Sequence, residues 1–250
     1  MAQSGRTDTP SGESNAAHSY PVIKPKPAGT LLILDEQNGR PHVLMGRRHK
    51  AHTFMPDVFV FPGGRVDRPD NHAPFHSDLT KPTLERLMAS GLKSLATHRR
   101  ARAFALAAIR ETFEEVGMLI GNPVTEDTKG TNSVWAPFLN HKQVPNLAPL
   151  RYVARAVTPP GLVRRYDTRF FTATRSAISL ELKDIPTDEL NELSWIPLDQ
   201  TDGYEMPRIT QMVLNDVSER ITAEGTIALH DDHAVPVYTA RNGKHRRDMA

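Results

Sequence analysis

Arg-Glu-Thr-Phe-Glu-Glu-Val-Gly, at residues 110 to 117, follows a Phe-Pro-Gly-Gly turn at residues 61 to 64. Glu111, Glu114 and Glu115 stand at positions i, i+3 and i+4, so on a helix they project from one face. Three carboxylates this close repel one another. Hard divalent cations such as Mg²⁺ prefer oxygen ligands and commonly bridge carboxylates to phosphates, so a bound metal would turn the repulsion into attraction. The octet therefore predicts a metal-assisted site for a polyphosphate.

The same octet predicts a helix with one buried face. At about 100° per residue, apolar side chains lie opposite the three acids. These apolar residues are Ile109, Phe113 and Val116, preceded by Ala105 and Leu106. The helical pattern covers residues 99 to 120 and stops before a Gly-Asn-Pro sequence. Taken alone, the acids could be a solvated helix face, but the Gly-Gly turn argues against this because glycine lets a backbone approach closely.

The rest of the chain predicts a mixed sheet between two helices. Apolar runs at 30 to 34 and at 42 to 45, separated by Asn38 and Gly39, predict a β-hairpin. Further strands are predicted at 58 to 61, 152 to 157, 168 to 174 and 193 to 196, and a closing amphipathic helix at 206 to 222. We therefore expect an α+β protein of the α/β/α sandwich type, with a mixed β-sheet as its middle layer.

The 250 residues are enough for one sizeable core, so we expect one domain with additions, spanning residues 28 to 240. Residues 1 to 27 are rich in small and polar residues and are predicted to be a disordered tail. Residues 71 to 98 contain leucines at partly helical spacing and predict a helical insertion. This insertion is either a lid over the substrate, or a helical addition that pads the domain or contacts a second copy of the chain. Residues 241 to 250 predict a basic, solvated tail, with nucleic-acid contact as the alternative.

Composition excludes several classes of protein. The formal net charge is +2, from 31 basic and 29 acidic residues, and gives no global argument for nucleic-acid binding. No apolar stretch is long enough for a membrane span or a signal peptide. The absence of cysteine excludes disulfides and thiolate chemistry and suits a reducing compartment. The terminal Asp-Met-Ala is not a peroxisomal Ser-Lys-Leu address, so we expect a cytoplasmic, bacterial protein.

The pattern Arg-Glu-x-x-Glu-Glu-x-Gly after a Gly-Gly turn resembles the box of the Nudix hydrolases. That family's box runs Gly, five residues, Glu, seven residues, and then the Arg-Glu motif. Here the second half matches from Arg110 to Met118, with Thr112 in the first hydrophobic position. Six residues after Gly64 the chain has Asp70 where the family has Glu. Residues 71 to 109 then stand where the family has seven, so the helical insertion splits the box.

Segments outside the box extend this resemblance over roughly residues 28 to 222. They lie at 43 to 48, 165 to 171 and 188 to 197. The split box and the Thr-Pro-Pro sequence at 158 to 160 are most similar to the branch that contains peroxisomal coenzyme A diphosphatases. The resemblance implies a Nudix-type sandwich and hydrolysis of a pyrophosphate bond in a nucleoside diphosphate linked to another moiety. Coenzyme A or acyl-coenzyme A is the first expectation for the substrate, with ADP-ribose or NADH as the alternative.

A Mg²⁺ or Mn²⁺ cofactor fits this reaction, because a metal can neutralise phosphoryl oxygens and activate a water. Glu114 and Glu115 are the leading candidate ligands. The resemblance adds Glu111 as a ligand or water-orienting base, the Gly64 carbonyl as a further ligand, and Arg110 as the residue that holds a glutamate in position. Arg110 and Glu114 also form an ordinary i, i+4 pair, which could explain the arginine by itself.

Other candidate site residues lie outside the box. Glu189 is the choice for a general base supplied by a later loop, although an acid at the N-terminus of a short helix is the competing interpretation. Arginines on or beside the predicted strands could bind the remaining phosphates through bidentate hydrogen bonds. These candidates are Arg47, Arg48, Arg164, Arg165 and Arg169. Their competing interpretation is a charged, protected strand edge.

Two other function classes stay open at this point. The first is a Nudix-like sensor that binds a nucleotide ligand without cleaving it, suggested by the missing first glutamate. The second is removal of an RNA 5′ cap, which the near-zero net charge makes the weaker option. We expect a small-molecule nucleoside diphosphate derivative as the partner, no membrane partner, and a homodimer only as an option.

Overall fold

The computed structural model describes residues 23–50, 56–90, 97–125, 134–183, 189–241 and 244–249. In chain order, its elements are β1 (Lys26–Gln37), β2 (Arg40–Arg48), β3 (Phe59–Val60), β4 (Gly63–Arg65), α1 (Lys81–Ala89), α2 (His98–Val116), β5 (Met118–Leu119), β6 (Gly121–Pro123), α3 (Ala136–Leu139), β7 (Gln143–Pro145), β8 (Arg151–Val157), β9 (Tyr166–Thr174), β10 (Leu180–Glu181), β11 (Leu190–Pro197), α4 (Arg208–Glu224), β12 (Pro236–Arg241) and β13 (Lys244–Met249). A short 3₁₀ helix, Arg68–Asn71, follows β4.

The central sheet is mixed, with its main strands in the order β11, β2, β1, β9, β8, β12 and β13. Strand β1 pairs antiparallel with β2 and β4 and parallel with β9. The predicted hairpin is present as β1 and β2, because Asn38 and Gly39 take positive φ values of 53° and 74° at its turn. Positive φ at two central residues matches the twist of a tight hairpin.

Two helices cover opposite faces of this sheet. The alternation of side chains along β1 explains why both faces are apolar. Leu31 and Ile33 pack in one core cluster with α2. Leu32 and Leu34 pack in the other cluster with α4. Helix α2 lies very close to β1, since a Cβ added at Gly29 would meet the Phe104 carbonyl oxygen at 2.1 Å. The predicted α/β/α sandwich is confirmed.

Helix α2 ends earlier than the sequence pattern predicts. The prediction ran to residue 120, but α2 ends at Val116. Gly117 adopts a left-handed φ of 67°, and its N–H donates to the Phe113 carbonyl, which is the usual glycine termination of a helix. Met118–Leu119 then pairs with β10 instead of continuing the helix.

The described part of the insertion packs onto the α2 face of the domain. Helix α1 buries Leu84 and Leu87 in the core cluster that contains α2. Its Thr83 hydroxyl donates to Asp231 at 2.5 Å. Before α1, Asp78 accepts two hydrogen bonds from Arg102 of α2, at 2.8 and 2.5 Å. The insertion is therefore joined to the domain core at several points.

The two ends of the predicted domain differ from the prediction. β1 already begins at Lys26, so the last residues of the predicted N-terminal tail belong to the sheet, while residues 1–22 lie outside the described residues. The predicted basic tail contains β13, which pairs antiparallel with β12 in a hairpin at the sheet edge. This basic segment is therefore a strand that forms backbone hydrogen bonds with β12, which its charge alone does not indicate. Within the described residues, no helix is long and apolar enough to cross a membrane.

Candidate active site

The Gly-Gly turn and the acidic face of α2 meet in the structure. The Gly63 N–H donates to Glu115 Oε2 at 2.9 Å. A Cβ added at Gly64 would lie 2.4 Å from the carboxylate carbon of Glu111, so a larger residue there would displace that carboxylate. The backbone of the turn therefore lies against Glu111 and Glu115, two of the three predicted carboxylates, as expected from its two glycines.

Arg110 lies behind these carboxylates and is 3% exposed. Its Nη1 donates to Glu111 Oε1 at 2.8 Å and to Glu114 Oε2 at 3.0 Å. Its Nη2 donates to the Arg65 carbonyl at 3.0 Å. Burial opposes the charge of Arg110, but its hydrogen bonds to Asp70 and the charges of the nearby acids outweigh this and raise the pKa of Arg110. The guanidinium thus orients two carboxylates while it remains protonated.

Asp70 is the buried partner of Arg110. Its two carboxylate oxygens accept from Arg110 Nε at 3.0 Å and Nη2 at 3.1 Å, and its side chain is fully buried. The Asp67 N–H donates to Asp70 Oδ2 at 2.7 Å, and the Trp135 indole N–H donates to Oδ1 at 3.0 Å. The residue at the position of the first box acid is therefore an ion-pair partner of Arg110.

Trp135 was not found by the sequence reasoning. It lies in the segment before α3, far along the chain from Asp70. Only the folded structure, where it is 1% exposed and donates to Asp70, shows its role. A buried indole N–H normally finds an acceptor, but the sequence does not indicate which acceptor.

Trp135→Phe is expected to lower the free energy of unfolding by about 1.5–3 kcal/mol, the usual worth of a hydrogen bond to a charged group. Phenylalanine keeps an aromatic ring against Phe138 and removes the donor to Asp70. Urea unfolding monitored by far-UV circular dichroism measures the change. Trp195→Phe is the matched control, since this half-buried ring contacts Arg175 and lies on β11. Equal losses in both variants would assign the effect to ring size alone.

A cavity of about 360 Å³ opens beside the turn. Glu111, Glu115 and Glu189 all line it, together with Gly63 and Gly64. Glu189 precedes β11 and comes within hydrogen-bonding reach of Glu115. The predicted base and two of the predicted box acids are thus brought together from distant parts of the chain. Glu114 lies beside the cavity, half-exposed and paired with Arg110.

Burial and mutual repulsion act strongly on these acids. Burial raises the pKa of Glu111 to about 7; Arg110 acts against the shift, while Glu114 and Glu189 add to it. Burial also raises the pKa of Glu115 well above its ordinary value, and the charges of Glu111 and Glu189 reinforce the shift. The cluster therefore holds more negative charge than the protein alone neutralises.

The donor set fits a hard divalent cation. Arg110 carries one positive charge and pairs with Asp70, Glu111 and Glu114, so the cluster stays anionic even before Glu115 is counted. All of its ligand atoms are oxygens, as Mg²⁺ prefers. Among the described residues, no three acids or histidines already have metal-binding geometry. Arg110 and the Gly63 N–H donate to one oxygen each of Glu111, Glu114 and Glu115.

The five predicted phosphate-binding arginines separate into two groups. Arg48 and Arg164 line the cavity that contains the acids. Arg165 lies outside it and donates to the carbonyls of Thr158 and Ile23 at 3.1 and 2.6 Å. Arg47 pairs with Asp57 at 2.7 Å and with Glu192 at 3.3 Å.

Arg169 lies away from the cavity in the protein core. It is fully buried, pairs with Asp167 at 2.5 Å, and lies over the Phe104 ring at 4.4 Å. Asp167 also accepts a hydrogen bond from Arg155. Arg169 therefore belongs to a buried ion network that extends to Ser90, directly after α1. The structure therefore corrects the expectation that Arg169 faces a phosphate.

The described insertion does not line the cavity either. Its described residues do not contribute to the wall, which is formed by β1, β2, the 60 to 65 turn region, α2, the 164 to 170 region, Glu189 and α4. Of the two expectations for the insertion, the described residues therefore favour padding of the domain over a lid.

Comparison with known proteins gives two informative relatives. No family model matches the chain. The chain is 25% identical to the acyl-coenzyme A diphosphatase NUDT19 of Xenopus laevis, over 76% of this chain, and it spans 64% of that relative's length. A crystal structure of a NUDIX hydrolase from Alicyclobacillus acidocaldarius superposes with a TM-score of 0.58 and 26% identity, covering 77% of this chain and 90% of that one. These matches confirm the resemblance suggested by the split box.

Proposed function

We propose, from its similarity to Nudix hydrolases, that this protein is a metal-dependent hydrolase of a pyrophosphate bond in a nucleoside diphosphate linked to another moiety. The observation that carries the proposal is the meeting of Glu111, Glu115 and Glu189 with the Gly-Gly turn in one cavity. Arg48 and Arg164 on the same wall add the positive charge that a bound diphosphate needs.

Each group has a proposed role. Glu111, Glu114, Glu115 and the Gly64 carbonyl would hold Mg²⁺ or Mn²⁺. Such an ion, when bound, supplies positive charge to the phosphoryl oxygens and lowers the pKa of a bound water. Arg110 positions Glu111 and Glu114 through the hydrogen bonds from its Nη1.

The remaining roles concern the water and the phosphates. Glu189 is the proposed general base, since it faces the cavity beside Glu115 and comes from a different loop. A base must lie within hydrogen-bond reach of the water that it deprotonates, and from the cavity wall Glu189 would reach a water bound in that space. Arg48 and Arg164 bind the phosphate that is not being attacked. Together they hold the diphosphate in position, which is a large part of such catalysis.

Coenzyme A or acyl-coenzyme A is the proposed substrate, ahead of ADP-ribose or NADH. The support is the similarity to a protein described as an acyl-coenzyme A diphosphatase. Hydrolysis is preferred over ligand sensing. Asp70 stands where the family has its first box glutamate and still forms an ion pair with Arg110, so this substitution leaves Arg110 in position beside Glu111 and Glu114.

Product analysis by ³¹P NMR and mass spectrometry tests this function. The panel contains coenzyme A, acyl-coenzyme A, ADP-ribose, NADH, nucleoside triphosphates and capped RNA, each with and without Mg²⁺ or Mn²⁺. Metal-dependent cleavage of a diphosphate bond, lost in Glu115→Gln, is the expected result. Binding of a compound without any cleavage would instead indicate a sensor.

A further inference from the structure

Helix α4 begins beside the acidic cavity. Thr210, in its first turn, lines that cavity. The three residues before it, Pro207, Arg208 and Ile209, line a neighbouring cavity of about 420 Å³. Three residues of β9 line both cavities. The first turn of α4 therefore lies where the two spaces adjoin.

This first turn has hydrogen-bond donors without acceptors. Every helix leaves the N–H groups of its first turn without a partner inside the helix. The N-cap residue of α4 is Pro207, and no side chain caps the helix. The described residues provide no acceptor for the N–H groups of Arg208, Ile209 and Thr210. Such donors, together with the positive end of the helix dipole, suit an anion.

Thr210 gives a second and independent indication of a ligand. It continues the buried side of α4 formed by Val213, Leu214, Val217 and Ile221, so the helical spacing predicts an apolar residue at this position. The chain has a hydroxyl there instead. Thr210 is 5% exposed, and its hydroxyl has no hydrogen-bond partner within the described part of the chain. Burying an unpaired hydroxyl costs free energy, so its place on a cavity wall indicates an acceptor on a ligand.

The two helical layers supply complementary chemistry to the acidic cavity. Helix α2 contributes Glu111 and Glu115, which suit a cation. Helix α4 belongs to the opposite layer, and Thr210 is its contribution to the described wall. A diphosphate that faces a cation with some of its oxygens still carries charged oxygens elsewhere, and these need donors. The first turn of α4 offers donors of this kind.

We propose that the first turn of α4 binds the diphosphate of the substrate through the Thr210 hydroxyl and the unpaired N–H groups. The inference rests on the proposed function for the position of the cation. The donors would bind non-bridging oxygens of the phosphate that is not attacked, on the same cavity wall as Arg164. Thr210 is thus a substrate-binding residue outside the box, at a position where the helical spacing predicts a core residue.

Calorimetric binding of α,β-methylene-ADP with Mg²⁺ tests the proposal on the full chain, because the bridge of this nucleoside diphosphate cannot be hydrolysed. Thr210→Val keeps the shape of the side chain and removes the hydroxyl. We expect it to bind the analogue about tenfold more weakly. Thr210→Ser keeps the hydroxyl and should bind within about threefold of the wild type. Thr210→Val should unfold at the same urea concentration as the wild type or higher, since valine fits the apolar side of α4.

Thr222→Val is the matched control. Thr222 is exposed near the other end of α4 and donates to the Ser218 carbonyl at 3.0 Å. This variant should bind the analogue as the wild type does. The proposal is overturned if the wild type does not bind the analogue, if Thr210→Val binds it equally well, or if Thr222→Val loses as much affinity.

A second pair of variants tests the helix N–H groups. Proline is tolerated at the first position of a helix, where it removes the N–H and keeps a helical φ. Arg208→Pro is therefore compared with Arg208→Ala, which loses the same side chain but keeps the N–H. We expect Arg208→Pro to bind the analogue at least about threefold more weakly than Arg208→Ala. Equal affinities would reject a role of these N–H groups.

Steady-state kinetics separate this inference from the proposed function. Thr210→Val should raise KM about tenfold with little change in kcat, the pattern of a contact that ground state and transition state share. Absence of any cleavage would reject the hydrolase, but the α4 site would stand if affinity for the analogue depends on Thr210. Cleavage with unchanged KM and unchanged analogue affinity in Thr210→Val would keep the hydrolase and reject the α4 site.

Discussion

Glu115→Gln is expected to lower kcat by about 10³-fold or more while the fold survives. Its carboxylate is 5% exposed and accepts from the Gly63 N–H, an interaction that the glutamine oxygen can keep. What the variant loses is one negative charge in the proposed metal site. Removing several kcal/mol of transition-state stabilisation corresponds to this change in rate, at about 1.4 kcal/mol per tenfold. Steady-state hydrolysis of the best substrate of the panel measures it.

Stability gives this prediction a readout independent of activity. Because burial raises the pKa of Glu115, a charge there costs folding free energy at neutral pH when no cation is bound. We therefore expect the metal-free variant to melt at the same temperature as the wild type or higher. Mg²⁺ should stabilise the wild type more than the variant, since a ligand that binds the native state stabilises it by mass action.

Glu219→Gln is the matched control, because Glu219 is exposed on α4, the helix of the opposite layer. It should change neither the rate nor the response to Mg²⁺. Wild-type turnover in Glu115→Gln would remove the basis of the proposed mechanism.

Asp70→Ala is expected to lower the free energy of unfolding by about 3–5 kcal/mol, the largest stability effect of the changes considered. The substitution leaves the buried guanidinium of Arg110 without its two-point partner and the Trp135 N–H without its acceptor. Breaking a buried ion pair from one side costs this much because the remaining charge stays buried. Denaturation in urea, followed by circular dichroism, measures the loss.

Asp199→Ala is the matched control for this effect. Asp199 also pairs with an arginine, Arg40, at 2.6 Å, but both side chains are exposed. Exposed pairs contribute only about 0–1 kcal/mol. If Asp70→Ala does not accumulate as folded protein, Asp70→Asn retains one acceptor oxygen and should show a smaller loss. A loss in Asp70→Asn no larger than in Asp199→Ala would show that burial does not strengthen the Asp70 pair.

The arginines show what a sequence pattern leaves undecided. Arg164 and Arg169 both lie near β9 and have the same phosphate-binding chemistry, but only Arg164 lines the acidic cavity. Arg169 is fully buried against Phe104. Side chains on a strand alternate between faces, and the sequence does not reveal which neighbouring element covers each face. A buried arginine needs an acid such as Asp167 beside it, and that contact exists only in the folded sheet.

Local sequence was sufficient for the sandwich, the hairpin at Asn38 and the acidic face of α2, because periodicity and turn conformation depend on residues close together in the chain. It also supplied Glu189 as a candidate, although not its neighbours. Only the tertiary structure joined Glu189 to Glu115 and paired Asp70 with Arg110 and Trp135. These contacts cross long stretches of chain and depend on how helices and strands pack, which no local pattern encodes.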